Sequence, residues 1–125
     1  MKNTTQFPDI EGHIFTSVIR TKNGDNKDAI RFIRDDGRIF EFAHLQECCE
    51  SVYIESINGD LNNLVGNHIL HATSTITTDR SDWGDSDTKT FYWFKTAKGE
   101  VTIRWYGYSN GYYSENVDFY EVTSH

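Results

Sequence analysis

The stretch Ile103-Arg-Trp-Tyr-Gly-Tyr-Ser-Asn-Gly-Tyr-Tyr-Ser-Glu-Asn116 puts five aromatic side chains, one arginine and two glycines into fourteen positions. An arginine offers a planar fork of donors suited to phosphate or carboxylate. Tyrosine rings offer faces on which a base or sugar can stack. Glycines such as Gly107 and Gly111 let a backbone approach a ligand closely. Period-2 alternation puts Val101, Ile103 and Trp105 on one face of a strand and Thr102, Arg104 and Tyr106 on the other. The first face reads as core. The second, extended by the loop that follows, gives Arg104, Tyr106, Tyr108, Ser109, Asn110, Tyr112 and Tyr113 as candidate residues of a site for a small anionic or aromatic ligand. The same residues also suit a purely structural role. Ser-Asn-Gly is a common turn, aromatic pairs are ordinary sheet packing, and Arg104 could pair with Glu115, Asp118 or Glu121 across a hairpin.

A second cluster joins His44 to the adjacent Cys48 and Cys49, with His68 and His71 further on. A zinc site needs about four such ligands. Adjacent cysteines make poor joint ligands, and His68 and His71, three apart on a strand, face opposite sides, so no metal site is expected. A nucleophilic cysteine activated by His44 is conceivable chemistry. The plainer expectation is two buried, reduced thiols, since cysteine is among the most buried residue types. Two neighbours cannot staple a fold, so no disulfide framework is implied.

Carboxylates at Glu47, Glu50, Glu55, Asp60 and Asp118 offer general acid and base groups, but no spacing singles out a pair. The run Asp79-Arg-Ser-Asp-Trp-Gly-Asp-Ser-Asp87 reads as an exposed acidic loop, or as a mimic of a phosphate backbone. Neither G-x-x-x-x-G-K-[ST] nor G-x-G-x-x-G occurs, which excludes nucleotide recognition by those loops. No cofactor is implied.

The elements that must position these groups are mostly strands. Residues 13–21, 29–34, 38–44, 51–57, 68–78, 89–96, 101–106 and 114–122 carry β-branched and aromatic patterns bounded by turn residues. Asp35-Asp-Gly-Arg38 predicts a hairpin that sets Ile30 and Phe32 beside Phe40 and Phe42. Asp60 as N-cap, Leu61, Leu64 and Val65 at helical spacing, and Gly66 as a stop predict a helix of about two turns. The last third reads as a β-meander. The fold class is therefore α+β: a mostly antiparallel sheet of about six to eight strands with one short helix, in a single domain over 1–125 whose residues 1–9 form a frayed leader.

Composition agrees. The chain of 125 residues carries eight Phe, seven Tyr and three Trp against four Leu and one Met, so aromatics supply much of the core-forming area. A formal net charge of −7 argues against non-specific binding to nucleic acid. No apolar run resembles a signal peptide or a membrane span, which reads as a cytosolic protein.

Two stretches, 48–70 and 101–122, resemble a family of small phage and prophage proteins. Its members carry a histidine shortly before Cys-Cys-Glu-Ser-Val, then Gly-Asp-Leu, then Arg-Trp-Tyr-Gly-x-Ser-Asn-Gly-Tyr-Tyr-Ser. Those motifs span about a third of this chain, and Glu47 stands where the family pattern has aspartate. The resemblance implies an accessory protein acting inside an infected bacterial host, in a setting where such proteins block host defence. Two kinds of action are compatible with it.

The leading expectation is a non-enzymatic homo-oligomer that sequesters a small nucleotide-like signal. Arg104 would take phosphate, Tyr106, Tyr112 or Tyr113 would stack on a base, and Ser109 and Asn110 would bond ribose or base edges. The alternative is a protein–protein inhibitor of a host defence nuclease, using the acidic stretch 79–87 against a basic surface. An enzyme dependent on Cys48 or Cys49 ranks third.

Overall fold

The computed structural model describes residues 2–4, 10–24, 26–45, 49–110 and 115–122. Nine strands are present among them: β1 (Lys2–Thr4), β2 (Phe15–Lys22), β3 (Asp28–Arg34), β4 (Ile39–Ala43), β5 (Ser51–Asn58), β6 (His71–Arg80), β7 (Ser86–Thr96), β8 (Gly99–Ser109) and β9 (Asp118–Val122). They form two antiparallel sheets, one ordered β1-β9-β4-β3-β2 and the other β5-β8-β7-β6. The mostly antiparallel β reading holds. The helix does not reach two turns. Asp60 does cap it, accepting from Asn62 N–H, but only a single 3-10 turn, Leu61–Leu64, follows, and Val65 is already extended. Two asparagines in four residues offer little helix propensity, and Leu64 is the one side chain of the turn that is buried. Of the expected leader 1–9, residues 1 and 5–9 lie outside the described residues, and residues 2–4 form β1. They pair with β9, Lys2 opposite Val122.

The Asp-Gly hairpin forms as its sequence dictates. Gly37 has φ +88°, a conformation glycine adopts without steric cost. Ile30 then lies opposite Phe42 and Phe32 opposite Phe40, all four buried. β7 and β8 alternate strictly, with Tyr92, Phe94, Val101, Ile103 and Trp105 inward. The two sheets meet through rings: Phe42 from β4 packs on Tyr92 of β7 at 4.7 Å between centroids, and Phe32 of β3 on Phe94 at 5.7 Å.

The last third is not a meander. β8 does not pair with β9. After Ser109 the chain leaves the second sheet, and β9 joins the first, between β4 and β1. Phe119 there stacks on Phe40 and Phe42, at 5.6 and 4.3 Å, and the Tyr120 hydroxyl donates to the buried Glu41 carboxylate at 3.0 Å.

Two core phenols, Tyr92 and Tyr120, couple the stability of the fold to alkaline pH. Burial, then the charge of Asp118, raises Tyr92 well above the usual 10.0. Burial, then Glu41, does the same for Tyr120. Tyrosines of the unfolded chain ionise near pH 10, so the unfolded state loses these protons first. The stabilising effect is complete below about pH 10 and is lost as pH climbs towards the folded values. The thermal midpoint is expected to fall steeply above about pH 10, and a midpoint flat to strongly alkaline pH contradicts this account.

Candidate functional site

The outward side chains of the second sheet form a flat polar-aromatic face. Tyr53, Tyr106, Lys89 and Thr77 stand in one row across the four strands, and Ser51, Tyr108, Asp87 and Asp79 in the next. Tyr53 and Tyr106 rings lie 5.7 Å apart, and Tyr53 and Tyr108 are 42% and 46% exposed.

Arg104 and Tyr106 share this face, as alternation requires, but Arg104 is already engaged. Its Nε lies 2.6 Å from Glu55 Oε1. The approach is badly aligned for a hydrogen bond, so this is a charge contact and Nε–H lacks a well-directed acceptor. The guanidinium also sits 5.4 Å from the centroid of Phe91. Glu55 faces outward with Ser51 and Tyr53 by simple alternation along β5; a register shift between Ile54 and Ser56 makes it the extra residue of a bulge beside Arg104, whose paired residue is Ser56. Glu115, Asp118 and Glu121 make other contacts, with Glu121 paired to Arg38.

The remaining candidate residues divide. The Tyr106 hydroxyl donates to Asp87 Oδ2 at 3.3 Å, and partial burial followed by that carboxylate raises its phenol. Tyr108 is hydrogen-bonded to Asp85, which raises its phenol likewise. Ser109 does not join them. It points inward, is buried, and donates to Glu115 Oε2 at 2.5 Å. Asn110 is exposed at the end of β8. Tyr112 and Tyr113 lie outside the described residues. Gly107 makes room for protein and not for a ligand: a Cβ there would stand 2.7 Å from Glu115 Cβ and 3.2 Å from Val52 Cγ2.

The acidic stretch 79–87 is a hairpin with only a short loop. Asp79 and Arg80 end β6, and Ser86 and Asp87 begin β7. Ser81 organises the connection: its N–H donates to Asp85 O (2.8 Å), and its Oγ accepts from Trp83 N–H (3.3 Å) and Asp85 N–H (3.1 Å). Trp83 at the tip is 91% exposed. Asp79 and Asp87 stand directly opposite each other on adjacent strands. A cleft of about 360 Å³ opens here, lined by Asp79, Arg80, Ser81, Asp85, Ser86, Asp87 and Tyr108. Arg80 is the one cation among its lining residues. The cleft and the lower end of the tyrosine face therefore carry net negative charge.

The histidine and cysteine cluster is built otherwise than the sequence suggested. Cys49 is exposed and disulfide-bonded, so it is no buried free thiol; Cys48 lies outside the described residues. His44 is buried with both ring nitrogens occupied: Nε2 contacts Glu50 Oε2 and Nδ1 contacts the Asn116 carbonyl, each at 2.6 Å. It ties the end of β4 to the approaches to β5 and β9. His68 and His71 are exposed, and His71 stacks on Trp93 at 6.2 Å. Among the described residues no three His, Cys, Asp or Glu side chains are grouped to hold a metal ion, and no helix is long and apolar enough to cross a membrane.

The fold and face define a two-sheet antiparallel β domain with an acidic, aromatic hairpin at one end of its outer surface. Residues 9–119 match the family model described as Domain of unknown function (DUF7448), and the chain belongs to that family. No curated protein and no solved structure matches it.

Proposed function

We propose that the protein is a non-enzymatic binding module that docks its acidic hairpin on a basic surface of a partner protein. The observation that carries this is the Asp79–Asp87 pair. Like charges directly opposite on adjacent strands destabilise a sheet by roughly 0.2–1 kcal/mol. Asp85 and Asp82 sit in the same hairpin, and an almost fully exposed Trp83 stands between them. The Tyr106 hydroxyl reaches Asp87, but among the described residues no cation pairs with either carboxylate, and a local rule broken in this way is expected at functional or strained sites. An arginine- or lysine-bearing partner supplies the missing cations, and Trp83 with Tyr108 supplies aromatic anchors of the kind that dominate interfaces. The resemblance to phage and prophage proteins directs the search to host defence nucleases in the bacterial cytoplasm, whose nucleic-acid-binding surfaces are basic.

Two results are expected. Asp79→Asn relieves the repulsion and raises unfolding free energy by about 0.2–1 kcal/mol; a loss of stability in chemical denaturation contradicts the repulsive reading. Neutralising Asp82, Asp85 and Asp87 together weakens binding to an arginine- and lysine-rich peptide by about tenfold or more, equivalent to at least ~1.4 kcal/mol. Neutralising Asp35, Asp36 and Glu100, which lie elsewhere on the surface, leaves most of the affinity. Equal effects of the two triple variants would reduce the binding to net charge alone and remove the docking site.

A small-anion site at Arg104 is the second reading, favoured by the guanidinium over Phe91 beside the Tyr53–Tyr106 pair. An incoming phosphate must displace Glu55, and Ser109 takes no part because it faces the interior. Calorimetric titration with nucleotides decides it: heat lost in Arg104→Ala supports this site, and no heat with the wild-type chain ends it.

A further inference from the structure

Among the described residues the second sheet has one covered edge and one open one. On β5 the outer edge is occupied by side chains of the first sheet: Ile54 N–H donates to Asp28 Oδ2 at 3.0 Å, and Ile54 O accepts from Arg20 Nη2 at 3.5 Å. On β6 the only such cover among the described residues lies at its start, where Ala72 N–H donates to Glu11 Oε2 at 2.8 Å. That bond shows which way the even-numbered residues of β6 point. Antiparallel pairing alternates, so Ser74, Ile76 and Thr78 aim their backbone N–H and C=O groups to the same side, away from β7.

Proteins blunt such edges with charges, prolines, bulges or short strands. β6 has ten residues, pairs with β7 without a register shift, and presents Ser-Thr-Ile-Thr-Thr at its middle with no charge, glycine or proline. Ile76 is 58% exposed there. We propose that β6 is a self-association edge, and that two copies of the chain pair β6 to β6 about a two-fold axis at Ile76.

The register follows from what flanks the open groups. Glu11 closes the edge at Ala72, so the available ladder runs from Ser74 to Thr78, and its centre is Ile76. Ile76 then meets its own copy, and Ser74 meets the partner's Thr78. Asp79 falls opposite the partner's Thr73 and not opposite another carboxylate. Ala72, whose N–H Glu11 holds, falls opposite the partner's Arg80, bringing cation to carboxylate at both ends. The contact is self-complementary, as an isologous interface must be. It joins two four-stranded sheets into one. This inference stands apart from the docking function, which needs only one chain.

The test is the mass of the full chain in solution, by sedimentation or light scattering, across a concentration series. A mass twice that of the 14.5 kDa chain is expected at the upper end. Ile76→Lys sets two ammonium groups against each other across the axis. Ser74→Pro removes an outward N–H without touching the bonds to β7. Each is expected to return the mass to that of a single chain, and a melting curve checks that the variant remains folded. A wild-type chain that stays single at every concentration overturns the proposal. So does a dimer that survives either substitution in a folded variant.

Discussion

Phe42→Ala is expected to lower the free energy of unfolding by about 3–5 kcal/mol, the range for removing a large ring from a packed core. Phe42 is 1% exposed and touches four other rings among the described residues: Phe32 at 5.6 Å, Tyr92 at 4.7 Å, Phe94 at 6.0 Å and Phe119 at 4.3 Å. Two of these belong to the opposite sheet, so the substitution opens a void at the seam between the sheets. Strands carry their hydrogen bonds with them and relax little toward such a void, which leaves the dispersion contacts unmade. A domain of this size holds only about 5–15 kcal/mol in total, so the denaturation midpoint should drop by a large share with little change in the denaturant slope. Leu70→Ala, at a side chain 51% exposed, serves as the contrast and is expected to stay within about 0.5 kcal/mol. A loss below about 1 kcal/mol at Phe42 would mean that the sheets do not meet through this ring.

Much of this core was legible because period-2 patterns are local. Ile30, Phe32, Phe40 and Phe42 face inward as the Asp-Gly turn requires, and Val101, Ile103 and Trp105 face inward opposite Arg104 and Tyr106. Polar strand ends are harder to tell from loops. β8 continues through Gly107 to Ser109, and the same alternation carried three residues further places Ser109 inside. β7 begins at Ser86 because the inward hydroxyls of Ser86 and Thr88 find a buried carboxylate, and no local pattern announces an acceptor 29 and 27 residues away. The crossing of β9 to the first sheet is also non-local: it depends on Phe119 and Tyr120 fitting Phe40, Phe42 and Glu41. Glu55 as partner of Arg104 depends on the pairing of β5 with β8, strands about fifty residues apart that no local pattern joins. The acidic hairpin was visible as charge. The opposition of Asp79 and Asp87, which gives that charge its meaning, emerged only with the register.

That buried acceptor yields the second large effect. Glu115 Oε1 accepts from Ser86 Oγ and Thr88 Oγ1, each at 2.9 Å, and Oε2 accepts from Ser109 Oγ at 2.5 Å. All four residues are buried. Glu115→Ala takes this acceptor from three buried hydroxyls, and losing a buried partner costs about 1–3 kcal/mol. Thr88 keeps the Thr78 hydroxyl at 2.9 Å, so the three terms do not add in full, and a loss of about 2–4 kcal/mol is expected. Glu115→Gln should cost less than half as much, because the amide keeps one acceptor oxygen and its NH₂ can donate to a hydroxyl oxygen. The consequence extends to the candidate site, since Ser86 lies between Asp85 and Asp87. Losing the anchor beneath Ser86 and Thr88 should speed amide hydrogen exchange at the start of β7 and loosen the Asp79–Asp87 pairing. Binding to a basic partner should then weaken even though the hairpin carboxylates are intact. If Glu115→Ala leaves both exchange at the start of β7 and denaturant stability unchanged, the carboxylate is not what holds the acidic hairpin in place.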